Sequence, residues 1–355
     1  TGIYQSELAE SYVASITREI TVLPEVKEPG TVDTVYFGGG TPSTLFPHQL
    51  DRILTAVRSR FRVSGNAEVT MEMNPGTVSR DVLNEFKSLG INRASFGAQT
   101  FDDRELARLG RSHTTAQTRQ TFSDLRDAGF TNISFDLIAG LPGQTMAGWL
   151  ANVRESLALR PEHLSFYLLE VHEGTPLADH IKQGRQPAPD EDLAAAMYEQ
   201  MISESHNAGY VHYEISNLSL PGFESRHNTK YWTGLPYYGF GCSAHSYDGK
   251  LQRWANERDV LGYMKLVDGD VSPVVQRVEL NEHDRQSENL FLGMRLMKGI
   301  SIRHHQEMFG VDLLSEHPAE IERFAQLGLI EVGADSIRLT RAGALLSNEV
   351  FAAFV

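Results

Sequence analysis

The segment VDTVYFGGGTPS, residues 32–43, decides the fold class, because a β-rich run passes directly into a glycine-rich turn. Four more β-rich runs follow, with helical patterns between them. The predicted strands are residues 32–37, 68–73, 93–97, 134–138 and 163–168, and the predicted helices are residues 47–60, 79–89, 115–128 and 146–157. This alternation is typical of parallel strands with helical crossovers, and right-handed crossovers wrap such strands into part of a β/α barrel.

The sequence after residue 186 has a different pattern, in which helical periodicity dominates and β-rich runs are few. Its last part predicts a small winged-helix-like module, with a helix at 321–329, a hairpin strand at 336–340 and a helix at 342–354. We therefore predict three domains, at residues 1–186, 187–275 and 276–355. A chain of 355 residues with 41% hydrophobic content can bury the large core that this organisation needs.

The charge of the chain bears on its partners and its compartment. Acidic residues outnumber basic ones by 46 to 32, which gives a net charge of −14. Because such a surface repels phosphate backbones, we expect no nucleic-acid partner. No apolar run approaches the roughly 18 residues of a membrane span, and the first residues lack the pattern of a signal peptide. A cytoplasmic protein is the expectation.

Polar residues recur where the predicted strands end. Glu72, Gln99 and Asp136 close three successive strands, and Arg111 follows Gln99 in the chain. Loops at the carboxyl ends of barrel strands converge on one face, so we expect these side chains to share one mouth. Their groups match the ammonium, carboxylate and hydroxyl groups of an amino acid joined to a ribose. Taken singly, each is more readily explained as a hydrogen-bonded rim or cap residue.

The turn after the first strand, with Gly39, Gly40 and Thr41, offers backbone N–H and C=O groups without side chains in front of them. A small polar ligand can be bound by such a turn. A tight turn at a crowded barrel rim explains the same glycines. A phosphate-binding P-loop is excluded, because no Gly-Lys-Ser or Gly-Lys-Thr follows at the required spacing.

Four motifs in order resemble the family of radical S-adenosylmethionine (SAM) proteins that contains HemN and HemW. They are FGGGTPS at 37–43, EMNP at 72–75, FGAQ at 96–99 and DLIAGLPG at 136–143. The resemblance implies a radical SAM-type (β/α)6 barrel, followed by a mostly helical C-terminal region. It also implies that the glycine motif contacts the methionyl part of SAM, and that Glu72, Gln99, Arg111 and Asp136 contact its amino, ribose and carboxylate groups.

The chain departs from this family in its cysteines. Radical SAM proteins of this type hold a four-iron, four-sulfur cluster with a C-x3-C-x2-C motif, whereas Cys242 is the single cysteine here. A single cysteine also excludes an internal disulfide. The simplest interpretation of Cys242 is a small buried residue. We expect the cysteine motif and the first barrel strand to precede Thr1 in a longer protein. A sheet that lacks its first strand has an open edge, which can pair with a second copy in a dimer.

A second motif, HNTKYW at residues 227–232, resembles the HemW signature associated with haem binding. Imidazole can ligate iron, and aromatic rings can pack on a porphyrin face, which makes His227, Tyr231 and Trp232 the candidate haem residues. Sequence alone does not choose the axial ligand among 13 histidines. The extension at 187–275 is then the haem-related part of the chain.

Three functions compete at this level. The HemW resemblance implies a haem-binding chaperone that delivers haem to respiratory proteins, with SAM and a [4Fe–4S] cluster in the full-length protein. The HemN resemblance implies an enzyme, an oxygen-independent coproporphyrinogen III dehydrogenase. The third possibility is an interaction module, a barrel that has lost its cluster. The HNTKYW motif favours the chaperone.

Overall fold

The computed structural model describes residues 6–22 and 30–354. Residues 1–5, with which the first predicted domain begins, lie outside this part of the chain. Two compact units are distinguished. The first unit comprises the described residues up to Val69, Ser88–Gly90 and the described residues from Arg226 onward, and the second unit comprises Thr70–Lys87 and Ile91–Ser225. The three predicted domains stay a prediction.

Helices and strands alternate through the first half of the chain. The helices are α1 Ser6–Val22, α2 Pro47–Arg60, α3 Arg80–Ser88, α4 Asp103–Arg108, α5 Thr115–Asp127, α6 Met146–Leu159, α7 Pro176–Lys182, α8 Glu191–Asn207, α9 Arg226–Trp232, α10 Val260–Asp268, α11 Glu282–Met294, α12 Ile302–Phe309, α13 Leu313–Glu316, α14 Pro318–Gln326, α15 Arg341–Leu345 and α16 Ser347–Ala352. The strands are β1 Thr31–Phe37, β2 Arg62–Met73, β3 Arg93–Gln99, β4 Ile133–Ala139, β5 His163–Leu168, β6 Val211–Glu214, β7 Asn217–Ser219, β8 His245–Tyr247, β9 Gln252–Asn256, β10 Val274–Glu279, β11 Ile300–Ser301, β12 Ile330–Val332 and β13 Ser336–Leu339. A 3₁₀ helix spans Pro42–Thr44. Within the described ranges, no helix has both the length and the apolar character needed to cross a membrane.

Seven strands form one sheet in the order β1-β2-β3-β4-β5-β7-β6. The pairs β2–β3, β3–β4 and β4–β5 are parallel, whereas β7 pairs antiparallel with both β5 and β6. The α/β fold class and the partial radical SAM-type barrel are thereby confirmed. All five strands predicted from the sequence belong to this sheet.

The core of the second unit lies between the parallel strands and their helices. Every residue of β3 is buried, as expected for a central strand covered on both faces. Phe96 of β3 and Phe135 of β4 make an edge-to-face contact with ring centroids 4.6 Å apart, and Phe122 of α5 packs 5.2 Å from Phe135. Helix α5 begins with a capping box made by Thr114 and Gln117, which satisfies backbone N–H groups at the start of the helix.

The region after residue 186 contains more strands than the sequence predicts. Strands β6 and β7 extend the large sheet, and β8, β9 and β10 form a separate antiparallel sheet in the first unit. These strands are short, so their alternation is weak beside the helical patterns around them. The C-terminal module has a third sheet, in the order β11-β13-β12, and α14 lies between β11 and β12 in the chain. Its predicted last helix is two helices, because Leu346 leaves the helical conformation at φ −106° and ψ 26°.

Candidate functional site

Asp136 lies on β4, in register with Ser165 of the neighbouring parallel strand β5. The pKa of the Asp136 carboxyl is raised to about 6, chiefly by burial and also by the negative charge of Glu72. A hydrogen bond with Ser165 and the charges of Arg93 and Arg111 oppose this rise. The second unit therefore brings Glu72, Arg111 and Asp136 within electrostatic reach of one another. Their roles in binding SAM stay a prediction.

Gln99 ends β3 beside this group of charges. It is in register with Leu137, the residue after Asp136, at the point where the pairing of β3 with β4 shifts. Its backbone is left-handed, at φ +65°, and its side chain is buried. The cost of this conformation in a residue other than glycine is of order 1–3 kcal/mol, and such strain is concentrated at functional sites.

Tyr167 belongs to the same cluster, and the sequence analysis missed it. Although Tyr167 is 45% exposed, the partial burial of its phenol raises the pKa of that group, and so do the negative charges of Asp136, Glu214 and Glu72. Side chains two residues apart on a strand point to the same face. Ser165, which is in register with Asp136, and Tyr167 therefore share one face of β5, so the alternation along the predicted strand was the signal available.

The glycine turn lies in the first unit. Gly39 and Gly40 have φ of +79° and +62°, and a Cβ on either would meet no atom within 4 Å. The backbone conformation, and not crowding, is thus what requires glycine here. Thr41 precedes the 3₁₀ helix, and its carbonyl accepts hydrogen bonds from the backbone and the hydroxyl of Thr44. Binding of the methionyl part of SAM by this turn stays a prediction.

His227 lies in the first turn of α9, where both of its ring nitrogens have hydrogen-bond partners. Nδ1 lies 3.0 Å from the hydroxyl of Thr34, and Nε2 lies 2.8 Å from the hydroxyl of Tyr231. The ring stacks on Tyr36 of β1, with centroids 4.8 Å apart. Ligation of iron by His227 would therefore require one of these hydrogen bonds to break.

Glu68 explains why α9 begins where it does. Its carboxylate accepts hydrogen bonds from the backbone N–H groups of Arg226 and His227, at 3.1 and 3.0 Å. A carboxylate at this position satisfies N–H groups that have no partner within the helix and favours the positive end of the helix dipole. The histidine of the HNTKYW motif is thus held in place by β2.

Tyr231 and Trp232 end the same helix in an aromatic environment. The ring of Tyr231 lies 4.7 Å from that of Tyr237, and the guanidinium of Arg295 lies 4.3 Å from the centroid of Trp232. Both motif residues line one cavity of the first unit. The structure thus places all three predicted haem residues in α9, and their binding of haem stays a prediction.

Comparison with known proteins identifies the family. The radical SAM superfamily profile matches residues 10–154, and the profile of the HemN C-terminal domain matches residues 280–346. The haem chaperone HemW of Bacillus subtilis is 35% identical over 353 residues, which cover 99% of this chain and 93% of the relative. The chain belongs to the HemW family. HemW of Lactococcus lactis is 34% identical, with 98% of this chain and 89% of the relative covered.

A solved structure shows the same fold as this HemW-family chain. It is coproporphyrinogen III oxidase (HemN) from Escherichia coli, with a TM-score of 0.84 at 22% identity. The match covers 99% of this chain and 85% of that chain. At this identity the likeness carries the fold and not the activity.

Membership of the radical SAM superfamily implies SAM and a [4Fe–4S] cluster as cofactors of HemW-family proteins. The donor set of Glu72, Arg111 and Asp136 fits SAM, because it offers carboxylates for an ammonium and hydroxyls and a guanidinium for a carboxylate. The cluster does not fit the residues of this chain. Cys242, the single thiol, accepts a hydrogen bond from the hydroxyl of Tyr12 at 3.2 Å, and among the described residues no three histidine, cysteine or acidic side chains form a metal-binding group.

Proposed function

We propose that the chain is a haem-binding chaperone that hands haem to respiratory proteins. The HemW-type function rests on curated relatives named haem chaperones, which are 31–36% identical over most of the chain. The observation that supports haem binding here is the aromatic helix α9, with His227 held by Thr34 and Tyr231. Aromatic faces suit a flat macrocycle, and imidazole suits its iron.

Haemin titration of the purified chain tests this proposal. The wild type should shift the Soret band, and His227→Ala should weaken binding at least about tenfold if the imidazole ligates the iron. His245→Ala, an exposed histidine of β8, is the matched control and should bind as the wild type does. Tyr231→Phe removes the hydroxyl that contacts Nε2, so ligation through that nitrogen should survive or improve. A haemin Soret band that does not shift when the wild-type protein is present would contradict the proposal.

We also propose that the cluster of strand-end side chains in the second unit binds SAM. Arg111 binds the α-carboxylate of SAM, and Glu72 binds its ammonium group. The side-chain oxygens of Gln99 and Asp136 accept hydrogen bonds from the ribose hydroxyls. The residues of this chain orient the nucleoside and its amino acid part.

Calorimetry with SAM tests the assignment of Arg111. Arg111→Ala should weaken binding by about 1.5–3 kcal/mol, because it removes a charge-assisted hydrogen bond to the carboxylate. Arg154→Ala is the control, since Arg154 is an exposed arginine of α6 paired with Glu204. Equal affinities of the two variants would remove Arg111 from the site.

A further inference from the structure

A cavity of about 400 Å³ lies in the first unit beside the C-terminal end of α9. Most of its wall is aromatic or aliphatic, and one charged pair, Arg253 and Glu288, belongs to it. The aromatic lining residues are Tyr231, Trp232, Tyr237, Tyr247 and Phe291. A space with aromatic walls and a few polar groups is the usual form of a site for a flat apolar ligand.

The guanidinium of Arg253 can bind a carboxylate in this wall through two of its N–H groups. Its Nε and Nη2 donate to the two carboxylate oxygens of Glu288, at 3.1 and 2.7 Å. Its Nη1 donates to the hydroxyl of Tyr237 at 3.2 Å, and the guanidinium lies 4.2 Å from the ring centroid of Tyr247. The guanidinium is therefore oriented on three sides before any ligand arrives. Glu288 occupies the position that a ligand carboxylate would take.

Trp232 adds a second observation at the same cavity. Its indole Nε1 is buried and has no hydrogen-bond partner within the described part of the chain. A buried donor without a partner is costly and marks a place where a partner group is missing. Because Trp232 lines the cavity and belongs to the HNTKYW motif, this observation links the cavity to the motif.

We propose that this cavity binds the edge of a tetrapyrrole, with one propionate replacing the Glu288 carboxylate on Arg253. The inference rests on the proposed haem-binding function and assigns its ring and carboxylate subsites. The exchange substitutes one carboxylate for another, so the charge around Arg253 is unchanged. Glu288, on the edge of the cavity and partly exposed, is released toward water. Net affinity then comes mainly from covering the aromatic walls, and the returning Glu288 helps to release the ligand.

Two opposite substitutions test the carboxylate exchange. Arg253→Gln should lower the affinity for metal-free protoporphyrin IX about tenfold, because the charge-assisted pair is lost. Glu288→Gln should raise that affinity, because the competing carboxylate is gone. The fluorescence of the bound porphyrin reports both, without any contribution from an iron ligand. Arg277→Gln is the matched control, since Arg277 also lies over an aromatic ring, that of Trp254, and does not line the cavity.

The dimethyl ester of protoporphyrin IX, which has no free propionate, separates the two subsites. Its affinity should be equal in the wild type, Arg253→Gln and Glu288→Gln, with thermal unfolding confirming that all variants are folded. If haemin binds to the wild type but Arg253→Gln and Arg277→Gln bind protoporphyrin IX alike, this inference is wrong and the haem-binding function stands. If haemin fails to bind to the wild type, the proposed function itself is wrong.

Discussion

Asp136 shows at the scale of one residue how a buried carboxyl group can lower the stability of its own fold. With its pKa raised from the ordinary value of 3.8 to about 6, the folded protein retains a proton that the unfolded chain releases. The folded state therefore binds more protons between these two pKa values, and stability falls as pH rises through that window. A carboxylate kept in this position for the proposed binding of SAM would therefore lower the stability of the fold.

Asp136→Asn should be more stable than the wild type above pH 6, and the advantage should shrink as pH falls toward 4. We expect an advantage of about 1–2 kcal/mol at pH 7, because partial exposure screens the full effect of the shift. Urea unfolding at pH 4.5 and pH 7 measures it. The exposed Asp51→Asn variant of α2 is the control, and equal pH profiles of the two variants would show that Asp136 is not destabilising when ionised.

At the same scale, the sequence identified the residue types of the candidate sites but not their partners. Glu72, Asp136 and His227 were found because each stands in a recognisable motif, and Arg111 because it follows the motif that ends in Gln99. Tyr167 carries no such signal. Its membership follows from the register of β4 against β5, which is a property of the folded sheet.

Strand β3 shows how an element depends on one glycine. A Cβ on Gly97 would lie 2.2 Å from Nε2 of Gln99, whose side chain is buried. Gly97→Ala should displace this amide and destabilise the protein by about 1–3 kcal/mol. Urea unfolding is the measurement. Gly65→Ala on β2 is the control, because its added Cβ meets no atom within 4 Å, and it should retain wild-type stability or gain slightly.

The Gln99→Ala background isolates the cause of that loss. Since the clash is with the far end of the Gln99 side chain, Gly97→Ala should cost much less stability once that side chain is shortened. The same cost in both backgrounds would place the clash elsewhere in β3. A double-mutant cycle over these four proteins gives the interaction energy directly.

Elements with a long, strong pattern were predicted closely. The predicted helix at 47–60 and the predicted strand at 163–168 have the bounds of α2 and β5. Helix α2 starts at a proline in its first position, a signal that sequence carries locally. The short strands β6 to β9 were missed, because three to five residues give too little alternation to exceed the helical background. Strand β10 is as long as β5, but five of its six residues are exposed, whereas four residues of β5 are buried.

At the scale of the whole molecule, the net charge of −14 bears on how the proposed anionic ligands would bind. Haem propionates and the SAM carboxylate are anions, and an acidic surface does not attract them from a distance. In the proposed sites, their binding would therefore depend on local groups, namely Arg111 for SAM and Arg253 for haem. The rest of the affinity for a tetrapyrrole would come from the apolar surface of the ligand that is buried against the aromatic walls of the cavity.

Sequence by itself determined the α/β class, the order of the parallel strands and the family, because periodicity and short motifs are written in consecutive residues. Only the tertiary structure decided that Glu288 occupies the fork of Arg253, that Glu68 caps α9 and that Tyr167 joins Asp136. These pairs are far apart in the chain. Their distances are set by strand register and helix packing, which depend on the folded core as a whole and not on any local pattern.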